Sequence, residues 1–286
     1  MAIRDTIVIG ASAGGVQALS TVVGDLPANL PAAVFIVLHI PAEKPSLLPE
    51  ILARSSQLPV KHPTSGERIR AGRIYVAPPD QHLLIEGVHV RLVHGPKENL
   101  HRPSIDTLFR SAARWCGART IGVVLTGARD DGSVGMRAIK QRGGITIVQD
   151  PVEAVFPSMP TNVMQQIQVD YSVPLRQIAP LLDRLSQEWA TDERSYPVPE
   201  EVEIESKIAE QNMDGSELIA SVEKLGRVSK LTCPDCHGAL WEINDEDICV
   251  SVVTSATPFR RKAWVTVNHR CWKSRCGLPC VRSRKR

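Results

Sequence analysis

The sequence predicts an α/β fold: a doubly wound, mostly parallel sheet of the Rossmann-like three-layer kind, with an antiparallel hairpin and a small C-terminal segment. Three observations predict it. Short β-branched apolar runs recur between residues 6 and 148, and most are followed by apolar residues at helical spacing. The runs are continuous rather than alternating, as expected of parallel strands covered on both faces. A glycine-rich turn joins the first run to its helix.

The first elements form a strand–helix–strand unit. Residues 6–10 are the first predicted strand, and apolar residues from Val16 to Val23 follow at helical spacing. Residues 33–38 are a second apolar run, and residues 47–52 resume the helical pattern. Because a crossover of this kind joins parallel strands, we expect the two strands to lie in one parallel sheet.

Between residues 72 and 93 the alternation of strand and helix gives way to consecutive strand candidates. Residues 72–77, 83–85 and 89–93 are strand candidates, and Pro78-Pro79-Asp80 supplies a turn between the first two. The last two are separated by Glu86-Gly87, so we expect them to pair antiparallel. Residues 74–93 are therefore expected to form an antiparallel insertion in the sheet.

Alternation of helix and strand resumes after the insertion. Residues 105–115 predict a helix capped by Ser104, with an acidic residue in its first turn. Residues 120–125 predict a buried strand, residues 136–141 continue a helix, and residues 145–148 predict the next strand.

Length and composition predict one large and one small domain. The chain has 286 residues, of which 43% are apolar and 23% charged. We expect a larger domain at residues 1–185, an acidic linker at 186–212 that starts a helix near Glu201, and a C-terminal segment at 213–286. No run of 18 apolar residues is present, so we expect neither membrane insertion nor a secretory signal, and a cytoplasmic protein.

The charge is unevenly distributed. The formal net charge is +3, yet residues 260–286 hold ten of the 34 Lys and Arg, and no Asp or Glu follows Asp247. A protein that binds nucleic acid over its whole surface would carry basic residues throughout. We therefore expect no nucleic-acid partner.

Three reactive side chains come directly after predicted strands. Ser12 follows the first strand, His39 ends the second, and Asp131 lies just beyond the strand at 120–125. Ligands of doubly wound sheets bind at these carboxyl ends. A serine hydroxyl needs a base to take its proton, an imidazole is such a base, and a carboxylate orients the imidazole. Residues 10–14 also satisfy the G-x-S-x-G pattern of an exposed nucleophile.

Each of the three residues has a plainer interpretation. The turn at Ser12 could be an ordinary strand–helix connection or a nucleotide loop, His39 could be structural, and Asp131 could be a turn or helix cap. The turn lacks the G-x-G-x-x-G register and the lysine of a phosphate loop. The coincidence of three suitable residue types favours catalysis, and a helix that starts near Gly14 would direct free N–H groups toward an oxyanion.

At these residues the sequence resembles the CheB-type catalytic domain of the protein-glutamate methylesterases of bacterial chemotaxis. The resemblance covers about residues 4–185. It is carried by IGASAGG at 9–15, HIP at 39–41, YVAPPD at 75–80, RPSID at 102–106, LTG at 125–127 with DG at 131–132, and FPSMP at 156–160.

The resemblance implies a reaction and the roles of its residues. The reaction would be hydrolysis of glutamate γ-methyl esters, and some relatives also deamidate glutamine. Ser12 would be the nucleophile, His39 the general base and acid, and Asp131 its orienting partner. Backbone N–H groups near Ala128 and at Ala13 would stabilise the oxyanion. Arg129 stands where many relatives have glycine, which puts the geometry of this loop in question.

The resemblance also implies partners and an organisation. The substrate would be a methylated chemoreceptor or sensor protein, with a methyltransferase as the functional counterpart, and catalysis would need no cofactor. The chain begins at the catalytic strand, so we expect a stand-alone form without the receiver domain of chemotaxis relatives. A non-catalytic scaffold in a sensory complex is the alternative function, and a nucleotide-binding protein is a third hypothesis.

The C-terminal cysteines suggest a metal site. Six of the seven cysteines lie in the last 54 residues. Cys233 and Cys236 form a C-P-x-C knuckle that predicts half of a structural zinc site. The sequence beyond Cys236 lacks a regular second pair of zinc ligands. A one-base shift of the reading frame over the codons of residues 250–259 would supply such a pair. We therefore expect the chain after about Ile248 to be disordered or the product of a frameshift; two reduced cysteines in such a tail are the alternative to zinc.

Other polar residues are assigned no catalytic role. The four histidines between residues 82 and 101 lack i, i+4 pairing, so we expect no metal site among them. Arg102 and Arg110 could bind an acidic substrate or pair with local carboxylates, and the sequence leaves both open.

Overall fold

The computed structural model describes residues 2–40, 45–95, 97–191 and 195–210, and beyond them a few helical residues between 220 and 224 and four strands between 226 and 268. The chain divides into two compact units. One comprises Met1–Gly95 with His101–Asn212, and the other Pro96–Leu100 with Met213–Arg286.

The predicted helices and strands of the first unit occur in the expected order. In chain order the elements are β1 Thr6–Ala11, α1 Gly15–Gly24, β2 Ala33–Leu38, α2 Leu48–Ala53, β3 Val60–Lys61, β4 Arg73–Val76, β5 His82–Glu86, β6 His89–Val93, α3 Ile105–Cys116, a 3₁₀ turn at Gly117–Arg119, β7 Thr120–Val124, α4 Ser133–Gln141, β8 Ile145–Gln149, α5 Ser158–Gln166, β9 Tyr171–Val173, α6 Leu175–Ser186 and α7 Glu200–Glu210. Of these, β3, α5, β9 and α6 add to the predicted elements.

A seven-stranded sheet forms the centre of this unit. Its strand order is β3-β4-β2-β1-β7-β8-β9, and every neighbouring pair is parallel. The chain moves outward from β1 in one direction through β2 and in the other through β7, so the order reverses between β1 and β7. The doubly wound fold class is confirmed, and the reversal point is where such sheets bind ligands.

The antiparallel part is shorter than expected. Of the three strands between residues 73 and 93, β5 and β6 pair antiparallel in a separate two-stranded sheet, whereas β4 joins the parallel sheet beside β2. The expected insertion at 74–93 was wrong in this respect. The physical reason is burial: Ile74, Tyr75 and Val76 are fully buried, as a central parallel strand requires.

Helices cover both faces of the sheet. Side chains of successive β1 residues alternate between the faces: Ile7 and Ile9 pack in the apolar cluster shared with α1, α2 and α6. Val8 packs in the cluster on the other face, which includes residues of α3, α4, α5 and the hairpin. The carboxyl ends of β1, β2 and β7 are therefore held in a packed three-layer structure.

Residues 186–212, where we expected an acidic linker, lie in the first compact unit. Helix α7 begins at Glu200, close to the predicted start, and buries Val202, Ile204 and Ile208. Arg114 of α3 donates hydrogen bonds of 2.7 Å to both Glu203 and Glu210 of α7. The acidic character of this segment thus complements an arginine of α3.

The described residues of the second unit include four strands: β10 Gly226–Thr232, β11 Ala239–Ile243, β12 Val250–Thr254 and β13 Thr266–Asn268. They pair antiparallel in that order. Cys233, Cys236 and residues 244–249 lie outside the described residues, so the zinc knuckle and the frameshift stay predictions. Within the described ranges, no helix is long and apolar enough to cross a membrane.

A partly exposed carboxylate fastens the edge strand β9 to β8. Asp170 accepts hydrogen bonds from the Thr146 N–H at 2.9 Å and the Thr146 hydroxyl at 2.8 Å, and it pairs with Lys140. Burial by itself raises the pKa of Asp170. The hydrogen bonds from Lys140 and Thr146 and the charge of Lys140 outweigh burial and hold the pKa below its ordinary value of 3.8.

We expect Asp170→Asn to lower the free energy of unfolding at pH 7 by about 1–3 kcal/mol, because a neutral amide loses the charge-assisted bonds. Because the pKa of Asp170 is depressed in the folded state, its ionised carboxylate stabilises the fold above pH 3.8. This contribution is lost as the pH falls through the folded-state pKa. The difference between wild type and variant should therefore shrink below pH 3.8 in urea unfolding curves. The exposed Asp25→Asn is the control; parallel stability curves for wild type and Asp170→Asn at every pH would contradict this account.

Candidate active site

Strand register brings Ser12 and His39 together. Ala11 of β1 pairs with Leu38 of β2, so the next residue on each strand, Ser12 and His39, leaves the sheet at the same edge. On the other side, the Ser12 N–H donates to the carbonyl of Thr126, just past β7, at 3.1 Å. Because all these strands are parallel, their carboxyl ends gather the reactive side chains at the reversal point.

The turn after Ser12 fixes how the chain enters α1. The Gly15 N–H donates to the Ser12 carbonyl at 2.9 Å, and Gly14 has φ +74°, a conformation that favours glycine. Helix α1 begins at Gly15 without an acidic residue or a side-chain cap in its first turn. Its N-terminal N–H groups and positive dipole end therefore lie close to Ser12.

The His39 ring lies between Ser12 and Asp131. Its Nδ1 is 3.0 Å from the Ser12 Oγ, and its Nε2 is 2.7 Å from Oδ2 of Asp131. The side chains of His39 and Asp131 are only 6% and 1% exposed. An ionised carboxylate can only accept, so the ring carries its proton on Nε2 and Nδ1 accepts from the Ser12 hydroxyl.

The Asp131 carboxylate also binds the N-terminus of α3. Oδ2 accepts from the Ile105 N–H at 2.8 Å, and Oδ1 accepts from the Asp106 N–H at 3.1 Å and from the Ser104 hydroxyl at 3.0 Å. Ser104 occupies the N-cap position of α3, as predicted, but its side chain makes no capping bond. The hydroxyl donates to Asp131 instead, and Asp131 itself caps the helix.

The cap is reciprocal. Oδ1 of Asp106, in the first turn of α3, accepts from the Gly135 N–H in the first turn of α4 at 2.7 Å. Helix α4 begins two residues after Asp131, so the N-terminus of each helix receives a carboxylate from beside the N-terminus of the other. This exchange fixes the position of Asp131 from both sides.

His101 has a role that sequence reasoning missed. Its ring stacks on the His39 ring, with centroids 3.6 Å apart and planes within 7°. The sequence predicts no metal site at His101, and no sequence signal links positions 39 and 101. The stack covers one face of the His39 ring and restricts its rotation.

Both candidate oxyanion donors lie beside Ser12. Ala13 follows it directly, and the loop that contains Ala128 approaches through Gly127, where a Cβ would lie 3.0 Å from the Ser12 Cβ and 2.0 Å from the Met159 Sδ. Only glycine fits this approach. Among the described residues, the N–H groups of Ala13 and Ala128 have no hydrogen-bond acceptor. They are therefore available to a ligand.

Two arginines that the sequence left open pair with carboxylates of the same unit. Arg102 bonds Oδ1 of Asp80 through Nε at 2.9 Å and Nη2 at 2.7 Å. Arg110 lies 3.4 Å from Glu205. Within the described ranges, no group of three or more His, Cys, Asp and Glu could hold a metal ion.

Residues 7–182 match the family model described as CheB methylesterase. The chain belongs to the CheB methylesterase family. A crystal structure of the Thermotoga maritima CheB methylesterase catalytic domain is similar to this chain with a TM-score of 0.61 and 34% identity. The match covers 63% of this chain and 98% of the Thermotoga chain.

Relatives with curated names match the same part of the chain. A Leptospira interrogans protein (strain Fiocruz L1-130) named "Putative protein-glutamate methylesterase/protein-glutamine glutaminase" is 40% identical over 184 residues, which cover 64% of this chain and 95% of that protein. A Methanosarcina mazei protein named "Protein-glutamate methylesterase/protein-glutamine glutaminase 2" is 39% identical over 185 residues. The match covers 62% of this chain and 50% of that relative, so the chain spans about half of its length.

We expect Asp131→Asn to destabilise the fold by about 2–4 kcal/mol, because an amide can accept on one oxygen only and presents N–H groups to existing donors. Urea unfolding measures the change. The neighbouring substitution Asp130→Asn is the control. Because Asp130 is more exposed than Asp131, its replacement should lower the free energy of unfolding by less. An Asp131→Asn variant as stable as wild type would contradict the capping role.

Arg129 carries backbone strain that glycine would relieve. Its φ is +74°, in the left-handed region that side chains disfavour by about 1–2 kcal/mol. Arg129→Gly should raise the free energy of unfolding by about 0.5–1 kcal/mol after the added chain entropy of glycine is subtracted. Arg129→Ala keeps the Cβ and should give no gain; equal gains in both variants would show that strain is not the cause.

Proposed function

We propose that this chain is a protein-glutamate methylesterase that cleaves glutamate γ-methyl esters through Ser12, His39 and Asp131. The observation that carries the proposal is the position of His39, with Nδ1 at 3.0 Å from the Ser12 Oγ and Nε2 at 2.7 Å from Asp131. These distances are within hydrogen-bond reach, as a nucleophile, its base and the orienting carboxylate require. Membership of the CheB methylesterase family supports the same reaction.

The first half of the reaction forms an acyl-enzyme. The Ser12 Oγ attacks the ester carbonyl carbon while His39 Nδ1 takes the serine proton, and Asp131 stabilises the resulting imidazolium. The N–H groups of Ala13 and Ala128 donate to the oxyanion of the tetrahedral intermediate. The intermediate collapses, the bond to the methoxy oxygen breaks, and methanol leaves with the proton from His39.

The second half returns the enzyme to its starting state. His39 takes a proton from water, the hydroxide attacks the glutamyl–serine ester, and the serine oxygen leaves with that proton. The product is the free glutamate side chain. Because the acyl-enzyme of a glutamine substrate is identical, the same site would release ammonia from glutamine, the second activity in the names of the relatives.

The proposed substrate is a methylated chemoreceptor or related sensor protein, with a methyltransferase as the functional counterpart. The proposed mechanism uses side chains and backbone N–H groups alone. Every chemical step therefore has a group of this chain assigned to it, and none is routed through a metal or cofactor.

We expect Ser12→Ala to reduce methanol release from a methylated receptor preparation by about 10⁴–10⁶-fold, because the members of such a triad act as a unit. The full chain is assayed by gas chromatography of the released methanol. Ser172→Ala is the matched control: Ser172 is an exposed serine on β9, and its loss should leave turnover unchanged.

Turnover by Ser12→Ala equal to that of wild type would contradict the serine mechanism. Equal and negligible release from both proteins, with folding and substrate methylation verified, would contradict the proposed substrate. That second result would favour the scaffold function.

A further inference from the structure

Thr126 is the residue through which the loops around Ser12 are joined. It lies two residues beyond the end of β7 and is 1% exposed. Its carbonyl accepts from the Ser12 N–H at 3.1 Å, and its N–H donates to the Gln149 Oε1 at the end of β8 at 2.9 Å. The backbone of Thr126 therefore already connects the carboxyl ends of β1, β7 and β8.

The Thr126 hydroxyl adds a connection that no backbone group makes. It accepts from the Phe156 N–H at 2.9 Å and lies 3.1 Å from the carbonyl of Ala13 and 3.4 Å from that of Phe156. A hydroxyl has one proton to donate, and the shorter contact is to Ala13. The hydroxyl thus bridges the turn after Ser12 and the segment that begins at Phe156.

The turn after Ser12 carries one candidate oxyanion donor. The Ala13 N–H belongs to the Ser12–Ala13 peptide, whose carbonyl accepts from the Gly15 N–H. The next peptide, Ala13–Gly14, is fixed through its carbonyl by Thr126. Because peptide units are planar, the Gly15 bond to the Ser12 carbonyl sets the direction of the Ala13 N–H. The Thr126 contact holds the next peptide, limits rotation about the Ala13 Cα, and so keeps the turn that carries this N–H in place.

The segment at Phe156 controls the other candidate donor. The Phe156 carbonyl accepts from the Gly127 N–H at 2.9 Å, and the Gly127 carbonyl accepts from the Met159 N–H at 3.1 Å. That carbonyl shares a peptide plane with the Ala128 N–H, which must point the opposite way. The position of the Phe156–Met159 segment therefore sets the direction of the Ala128 N–H.

We propose that the Thr126 hydroxyl is a positioning group that holds the Ala13 and Ala128 N–H groups in register with one another, so that both reach one oxyanion. The inference rests on the proposed function, in which these two N–H groups stabilise the tetrahedral intermediate. Since an oxyanion exists only in the transition state and intermediate, the hydroxyl acts on kcat and leaves KM unchanged.

Two substitutions separate the hydroxyl from the shape of the side chain. Thr126→Val keeps the branched shape and removes the hydroxyl, whereas Thr126→Ser keeps the hydroxyl. We expect Thr126→Val to lower kcat for the methyl ester by about 10- to 100-fold with KM changed by less than about threefold, as misplaced catalytic groups do. Thr126→Ser should keep kcat within about threefold of wild type.

Thr146 offers a matched control for the loss of a buried hydroxyl. It is fully buried, and its hydroxyl also donates once and accepts once, to and from Asp170 at 2.8 and 3.1 Å. It lies near the start of β8, away from Ser12. Thr146→Val should lower the melting temperature and leave kcat unchanged.

A second readout is independent of the receptor substrate. The rate at which a fluorophosphonate labels Ser12 depends on the same oxyanion donors, and Thr126→Val should label at least about tenfold more slowly than wild type. If the labelling rate and kcat of Thr126→Val equalled those of Thr146→Val, the inference would be overturned. The same holds if Thr126→Ser lost as much kcat as Thr126→Val. A wild type that labels but releases no methanol contradicts the proposed function, and the labelling ratio still decides the role of Thr126.

Discussion

The candidate site depends on one buried carboxylate. A carboxylate that is 1% exposed is stable only if donors replace its water, and Asp131 obtains them from the His39 ring, the Ser104 hydroxyl and the first N–H groups of α3. The same bonds that make the burial of Asp131 tolerable also fix its position. His39 is then held in the tautomer that leaves Nδ1 free to accept from Ser12.

The surrounding fold makes this arrangement rigid. Asp106 returns a cap to α4, so the two helices on either side of the Asp131 loop hold each other. The parallel register places Ser12 beside His39, and the His101 stack restricts the ring. The groups of the proposed reaction are therefore in place before substrate binds, which is the condition for efficient electrostatic stabilisation of a transition state.

Local patterns in the sequence were sufficient for the central strands β1, β2, β7 and β8 and for the edge of the sheet at which Ser12, His39 and Asp131 meet, but not for the short edge strands β3 and β9. Continuous apolar runs identify buried parallel strands, and residues that follow them share one edge. Contacts between distant segments were not predictable. Nothing in the sequence pairs Asp131 with the α3 N-terminus or His101 with His39, and the position of β4 depends on burial. Helix α7 was predicted near Glu201, but its packing on Arg114 was not.

The tautomer of His39 tests the central claim most directly. In the full chain with ¹⁵N-labelled histidine, at a pH where the ring is uncharged, the nitrogen chemical shifts report which ring nitrogen carries the proton. The account predicts a proton on Nε2 and an unprotonated Nδ1, and a mixture of tautomers when Asp131 is replaced by asparagine. A proton found on Nδ1 in the wild type would contradict it, because Ser12 would then have no base.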